Sequence, residues 1–258
     1  YAYDEAGLLA EIRDVAAGAS LVKYYYDAAA RRVRKELGNG SFSTYAYDGL
    51  NRVTNLVNYS ASSNIISRFA YLYDGLGNIL YKNTVEGWES YRYDVLNQLT
   101  NVIYPNGITN GFVYDAMGNR TAVLSNGVAV PYGVNRLNQY TNVGGAVLLY
   151  DFNGNLVAKA ENGQTSSYEY DCENRLVRVS TPTNTVRYRY DPFGQRVCTS
   201  NATGTVYYFH DRLQVALETD SAGTTQASYV WGQDLDEVVR MNRSGSRYFY
   251  AQDALSSV

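Results

Sequence analysis

Proline, cysteine, methionine and histidine are nearly missing from this chain of 258 residues, which holds four, two, two and one of them respectively. A single histidine, His210, excludes a metal centre built from several imidazoles. It stands where the pattern described below places a tyrosine, so we read it as a ring substitute in a sheet. Two cysteines, Cys172 and Cys198, are too few for a disulfide-dense scaffold, and they occupy different phases of adjacent repeats, which argues against their pairing. Charged residues are only 18% of the chain and the net charge is −3. The sole basic cluster is Arg31-Arg32-Val33-Arg34-Lys35, so the broad positive footprint needed to hold a phosphate backbone is missing and no nucleic-acid partner is expected. No apolar run approaches 18 residues, which excludes a membrane-spanning helix, and no charged-then-apolar leader precedes the first motif. Walker loops, His-Glu-x-x-His helices, Cys-x-x-Cys pairs and Gly-x-Ser-x-Gly elbows are also missing, so neither cofactor nor enzyme activity is expected.

What the chain has in quantity is tyrosine, 27 residues against seven phenylalanines and two tryptophans. The tyrosines are ordered. Tyr-x-Tyr-Asp, followed three residues after the Asp by Gly or Asn, returns about every 21 residues from one end to the other, the signature of a repeat array. Its clearest copies hold the tyrosine pairs Tyr1 and Tyr3, Tyr45 and Tyr47, Tyr71 and Tyr73, Tyr91 and Tyr93, Tyr168 and Tyr170, and Tyr188 and Tyr190. With the Asp as marker, the Asp and Gly/Asn pairs are Asp4 with Gly7, Asp48 with Asn51, Asp74 with Gly77, Asp94 with Asn97, Asp115 with Gly118, Asp151 with Gly154, Asp171 with Asn174, and Asp191 with Gly194. Asp27, Asn135 and Asp211 mark weaker copies, with Ala30 and Gln214 as exceptions at the third position, and degenerate units fall at Gly232 and Asp253.

The chemistry of one unit follows from these residue types. Tyr-x-Tyr in an extended chain puts both rings on one face. Asp opens a type I turn by accepting a backbone N–H two residues on, and Gly or Asn three places later tolerates positive φ. Each unit therefore reads as strand, tight turn, strand. In Arg52-Val53-Thr54-Asn55-Leu56 and its near-copies Gln98-Leu99-Thr100-Asn101-Val102 and Gln139-Tyr140-Thr141-Asn142-Val143 the apolar positions lie three apart, which predicts a bulge or change of face after the turn. The segments Glu5 to Ala17 and Asp27 to Leu37 have helical propensity, but they sit in phase with the repeat and are assigned as strands. Two buried tyrosines cannot offset the ordering of about 20 backbone residues, so one unit needs its neighbours in order to fold.

These units resemble the YD repeats of RHS proteins, of bacterial toxin-complex proteins and of teneurins. The resemblance covers nearly the whole chain. Near the end, Tyr229-Val230-Trp231-Gly232 with Asp234-Leu235-Asp236-Glu237, then Tyr248 to Val258, looks like the stretch leading into the RHS-associated core, with Ser256 in place of the family's usual Gly. The resemblance implies an all-β array of antiparallel hairpins spiralling into a shell segment, with 1–227 as the repeat array and 228–258 as the truncated start of the core region. It further implies a secreted or cell-surface container that encloses a C-terminal passenger. The partner is then the remainder of the parent chain, and the sequence, opening inside a motif, reads as a piece of something longer. No catalytic residue is carried over, because the motif that holds the family's self-cleaving site does not follow Val258.

Two further expectations can be checked. The acidic cluster Asp234, Asp236 and Glu237 lacks the spacing of a calcium loop and reads as a solvated turn. A carbohydrate- or surface-binding module, with glycans as partners on exposed tyrosine rows, is the alternative function.

Overall fold

A computed structural model describes residues 1–234 and 236–254; Leu235 of the acidic cluster and the end of the core-entry motif, with Ser256, lie outside the described residues. Among the described residues there are 25 strands and no helix. Consecutive strands pair antiparallel, as in Phe42–Tyr47 with Val53–Tyr59 and the latter with Ile65–Tyr73. The helix-prone segments are strands at Leu9–Asp14 and Arg32–Leu37; pairing with neighbours outweighs local propensity there. The chain divides into two compact units, one of Tyr1–Arg92 with Ile103–Asn106 and the segment from Ala227 on, the other of Tyr93–Val102 with Gly107–Gln226.

The turns follow the marker residues. At Asp48 the carboxylate accepts the backbone N–H groups of Leu50 (2.9 Å) and Arg52 (3.0 Å), while the backbone N–H of Asn51 donates to the Asp48 carbonyl. The residue three places on is left-handed throughout, with φ of 79° at Gly7, 63° at Asn51, 61° at Asn97 and Asn174, and even 60° at Ala30. Asn135 makes the same turn with a neutral amide, its Oδ1 accepting from the N–H groups of Leu137 and Gln139. The copy at Asp211 departs from this form. Asp211 pairs directly with Gln214, and the left-handed residue is Arg212 at φ 57°, so this unit turns through two residues and Gln214 belongs to the strand. An unassigned copy of the marker turn, Asp220 to Gly223, closes a connection at the opposite ends of the strands. At Asp253 the described residues form no hairpin.

A bulge sits six residues after the markers from Asp4 to Asp74 and from Asp115 to Asp191, and five after Asp211. Ala46 pairs with Asn55 and Tyr47 with Val53, which skips Thr54; Glu169 pairs with Arg178 and Tyr170 with Leu176, which skips Val177. The ladder is interrupted at the residue five after the marker, and there the second tyrosine of the following hairpin arrives. The Tyr26 phenol donates to the Leu9 carbonyl, Tyr47 to Arg32, Tyr73 to Val53, Tyr114 to Leu99, Tyr150 to Tyr140, Tyr170 to Leu156 and Tyr190 to Leu176, all at 2.7–3.1 Å. Burial raises the pKa of Tyr26, Tyr47, Tyr73, Tyr170 and Tyr190, which keeps these phenols protonated as donors. In the decayed copy, where Val134 replaces that tyrosine, Tyr140 reaches back instead and its hydroxyl accepts the Arg120 backbone N–H at 2.9 Å. The link is kept by a different ring with reversed polarity.

The residue four after the marker joins neighbouring turns. Arg52 donates to the Asp48 carboxylate and the Asp74 carbonyl and covers the Tyr73 ring at 4.6 Å, and Arg31 and Arg175 repeat this arrangement. Asn119 and Asn155 link instead to Asn138 and Asn174 of the next turn.

Tyr47→Phe leaves the Arg32 carbonyl without its phenol donor, at a cost of about 1–3 kcal/mol; the urea midpoint of the variant is expected to fall accordingly, and an unchanged midpoint contradicts this role. A second expectation concerns acid. Bonds from the residue four places on come first among the causes that hold Asp27, Asp48, Asp74, Asp115, Asp151 and Asp171 below the ordinary carboxylate range. Folded-state values below the unfolded ones mean that this stabilisation is complete above about pH 4 and is lost as the pH falls through the folded values. Urea midpoints measured from pH 6 to pH 2.5 should therefore drop at the acid end, and the drop should shrink in an Asp115→Asn, Asp151→Asn, Asp171→Asn variant, whose turns can form as that of Asn135 does.

Candidate functional site

The largest departure from repeat geometry lies within the first unit, where the segment after Ala227 packs over the opening hairpins. Leu9, Ile12, Leu21, Val22, Tyr24 and Leu37 form a buried cluster with Val239, and Val230 and Phe249 pack against it. Charge lies beside this cluster. In the strand Arg32–Leu37 the bulge skips Val33, since Tyr25 pairs with Arg34 and Tyr26 with Arg32. Arg32 and Lys35, three apart, can therefore share the inner face, while Arg34 turns outward to Glu36. The basic run is thus divided among three environments, because Arg31 serves the turn at Asp27.

Glu237 meets Arg32 and Lys35. It is 2% exposed and Lys35 is 1% exposed, which corrects the expectation of a solvated turn for this residue; only its neighbours behave that way, with Asp236 exposed and the Asp234 side chain half-exposed. Glu237 Oε1 accepts from Arg32 Nη1 at 2.6 Å and Lys35 Nζ at 3.0 Å. Its Oε2 accepts from the Tyr24 phenol at 3.2 Å and from the backbone N–H groups of Gln233 (3.0 Å) and Asp234 (3.3 Å). Arg32 also pairs with Asp234 and lies over the rings of Tyr24 and Tyr45. Burial acts against the Glu237 carboxylate, but Lys35 and Arg32 outweigh it and hold the group below its ordinary pKa. Burial dominates at Lys35 and lowers its pKa, because the one carboxylate it faces is shared with Arg32. The same burial pushes Tyr45 up to about 12. Gly232 is required here, since an added Cβ would fall 2.6 Å from the Tyr24 hydroxyl.

Gln252 extends the network. Its side chain accepts from Lys35 Nζ at 3.4 Å and its backbone carbonyl accepts from Asn58 Nδ2 at 3.0 Å, while Asn58 Oδ1 accepts from the Ser43 hydroxyl. A cleft of about 300 Å³ opens beside these groups, lined by Tyr26, Arg32, Tyr45, Tyr47, Glu237 and Gln252. Of its charged groups, Arg32 pairs with both Asp234 and Glu237. No cluster of three metal-ligating side chains occurs among the described residues, and the one carboxylate at the centre is held ionised by five donors, which fits a tie between segments better than an acid or base.

The marker residues do not converge on this site. Asp4, Asp48, Asp74, Asp94, Asp115, Asp151, Asp171 and Asp191 each cap their own turn. Tyr45, Tyr47 and Tyr71 reach the seam; Tyr71 is buried, with its phenol pushed up to about 12, whereas Tyr1 and Tyr3 are 78% and 64% exposed. Cys172 and Cys198 are both free, the first exposed and the second buried.

The profile of the teneurin YD-shell family matches residues 1–258. The chain belongs to that family. Among solved structures this YD-shell chain is similar to the crystal structure of TcdB2-TccC3-Cdc42, with 17% identity and a TM-score of 0.54. It also resembles that of TcdB2-TccC3, with 16% identity and a TM-score of 0.52, and the Photorhabdus luminescens Tc holotoxin pore, with 16% identity and a TM-score of 0.50. Each match covers 90% of this chain, and this YD-shell chain spans only 16–17% of the length of those chains. A search of curated proteins returns no match. The shared feature is the fold of a shell wall.

Sequence reasoning did not find Glu237, Arg32, Lys35 or Gln252 as a group. The one available signal was the three-residue spacing of Arg32 and Lys35 across a predicted bulge. Glu237→Gln leaves buried Lys35 without a counter-charge and Arg32 with only the half-exposed Asp234, and is expected to lower unfolding free energy by about 3–5 kcal/mol. Replacing Glu237 and Lys35 together by Leu and Met should cost less than the sum of the single changes in a double-mutant cycle of urea unfolding; strict additivity would remove the tie from the structure's account.

Proposed function

We propose that this chain is a wall segment of a container which, in the full-length protein, encloses a C-terminal passenger, and that it performs no catalysis itself. The observation that carries the reading is where the tyrosines go. In one hairpin after another the second tyrosine of the pair spends its phenol on a carbonyl of the preceding hairpin. The residue between the two rings is the exposed one, as at Ala46, Leu72, Glu169 and Arg189. Rings bound in this way knit a wall, which favours the container over the glycan-binding alternative.

The segment from 228 on acts as the entry to the core region. Its apolar and ionic contacts with the first hairpins support its reading as the part that fixes the end of the array against the beginning. The parent protein is placed outside the cell or at its surface, and its main partner is the remainder of its own chain.

The test is protease protection. In the full-length protein under native conditions, the region C-terminal to the shell should resist proteolysis, and a Tyr47→Phe, Tyr73→Phe double variant should speed its digestion. A C-terminal region cleaved as fast in the intact protein as in a truncated one lacking residues 1–258 overturns the container reading, and saturable binding of this chain to glycan arrays would replace it.

A further inference from the structure

In the second unit the seven successive marker turns, at 94, 115, 135, 151, 171, 191 and 211, close hairpins at the same ends of their strands. Neighbouring tips are two strands apart, roughly 9–10 Å. At six of the seven, an exposed apolar side chain stands at the tip. These are Leu96, Met117, Leu137, Phe152, Phe193 and Leu213, at least 70% exposed in every case, with Phe152 fully so. The first unit repeats the choice at Leu50 and Leu76. The fold does not require it. These residues stand two after the marker, or one after it in the case of Phe152, at solvent-facing turn positions where polar residues serve as well. The connections at the other ends of these strands carry Asn126-Gly127, Gly144-Gly145, Asn162-Gly163, Pro182-Thr183 and Ala202-Thr203 at their tips. The positive φ of a two-residue hairpin accounts for the Asn-Gly tips of that rim, whereas turn chemistry does not ask for apolar side chains on the first.

We infer that the apolar rim of the second unit is an interaction edge, and that the partner it fits is the same rim of a second copy of this chain. Three observations point to that occupant. First, a row with constant pitch matches itself when reversed, so a two-fold axis brings every tip opposite another, the isologous arrangement of closed dimers. Second, one pair of opposite charges meets across the axis. With the axis at Phe152, the central tip, the acidic tip Glu173 faces the Leu137 turn, whose exposed neighbour is Arg136, and the pair occurs twice by symmetry. Glu173 keeps a contact to Arg175 on its own chain yet remains 60% exposed at the side chain. Third, the six side chains together expose on the order of 800 Å², the area one partner contributes to a specific interface. An apolar row of this extent exceeds the ordinary scatter of exposed hydrophobics on a monomer. The contact is independent of whether a passenger is enclosed.

Sedimentation velocity of this chain across a hundredfold concentration range is expected to show a monomer–dimer equilibrium. A Leu137→Ser, Phe152→Ser, Phe193→Ser variant should be monomeric with unchanged far-ultraviolet circular dichroism and thermal midpoint, since serine suits these turn positions. Glu173→Arg should weaken the dimer by about tenfold or more, and adding Arg136→Glu should restore it, whereas Val128→Ser, near the opposite rim, should change nothing. A chain that stays monomeric throughout overturns the inference. So does a dimer indifferent to the rim variant, which would place self-association at unpaired strand edges, and a dimer unaffected by Glu173→Arg, which would remove the two-fold register.

Discussion

The hydrogen bond from a partly buried tyrosine phenol to a carbonyl at the bulge of the preceding hairpin is the interaction on which the rest of this wall depends. A hairpin of about 20 residues buries too little to order itself. Strand pairing joins it to its neighbours at the backbone, but a ladder alone fixes neither register nor face. The bulge interrupts the ladder once per unit, and at that interruption the ring of the next unit arrives with the donor that the carbonyl accepts. Because burial keeps the phenol protonated, the bond holds through the ordinary pH range. The unit at 135 shows how strongly the link is required, since loss of the tyrosine at 134 is met by Tyr140 bonding in the opposite sense.

The same bulge prepares the seam. A regular strand would send Arg32 and Lys35 to opposite faces; one skipped residue allows both to turn inward, where Glu237 of the returning segment pairs with both and Asp234 pairs with Arg32. Lys35 faces a single carboxylate, which it shares with Arg32, so burial wins at the lysine, while at Glu237 the two cations win. Such a tie is more valuable for position than for net stability, because the desolvation of three charges offsets much of their attraction. It fixes which hairpins the terminal segment meets, while the apolar cluster around Val22 and Val239 supplies the burial.

Each side of the wall therefore has its own chemistry. The tyrosine face is packed, the residues between the tyrosines face solvent, and the two rims differ in polarity. The packed face joins one unit to the next, which agrees with membership of the teneurin YD-shell family.

The turns were legible because their chemistry is local. An Asp that accepts from two backbone groups within four residues, and a Gly or Asn that tolerates positive φ, act through atoms a few bonds apart, so residue type and spacing suffice; the bulge after the turn could be expected from the three-residue spacing at Val53 and Leu56. Reading failed where the partner lies far along the chain. Asp211 kept the motif, yet Arg212 took the left-handed position, a matter of how the flanking strands meet. Glu237 looked like part of a polar turn because nothing nearby in sequence says that Arg32 and Lys35, some 200 residues earlier, will stand across from it. By itself, then, the sequence determined the repeat, its turns and the face on which the rings lie, since these follow from backbone sterics and side-chain period. Only the tertiary structure decided which charges are buried together and which rim is left apolar, since burial is a property of what another segment covers.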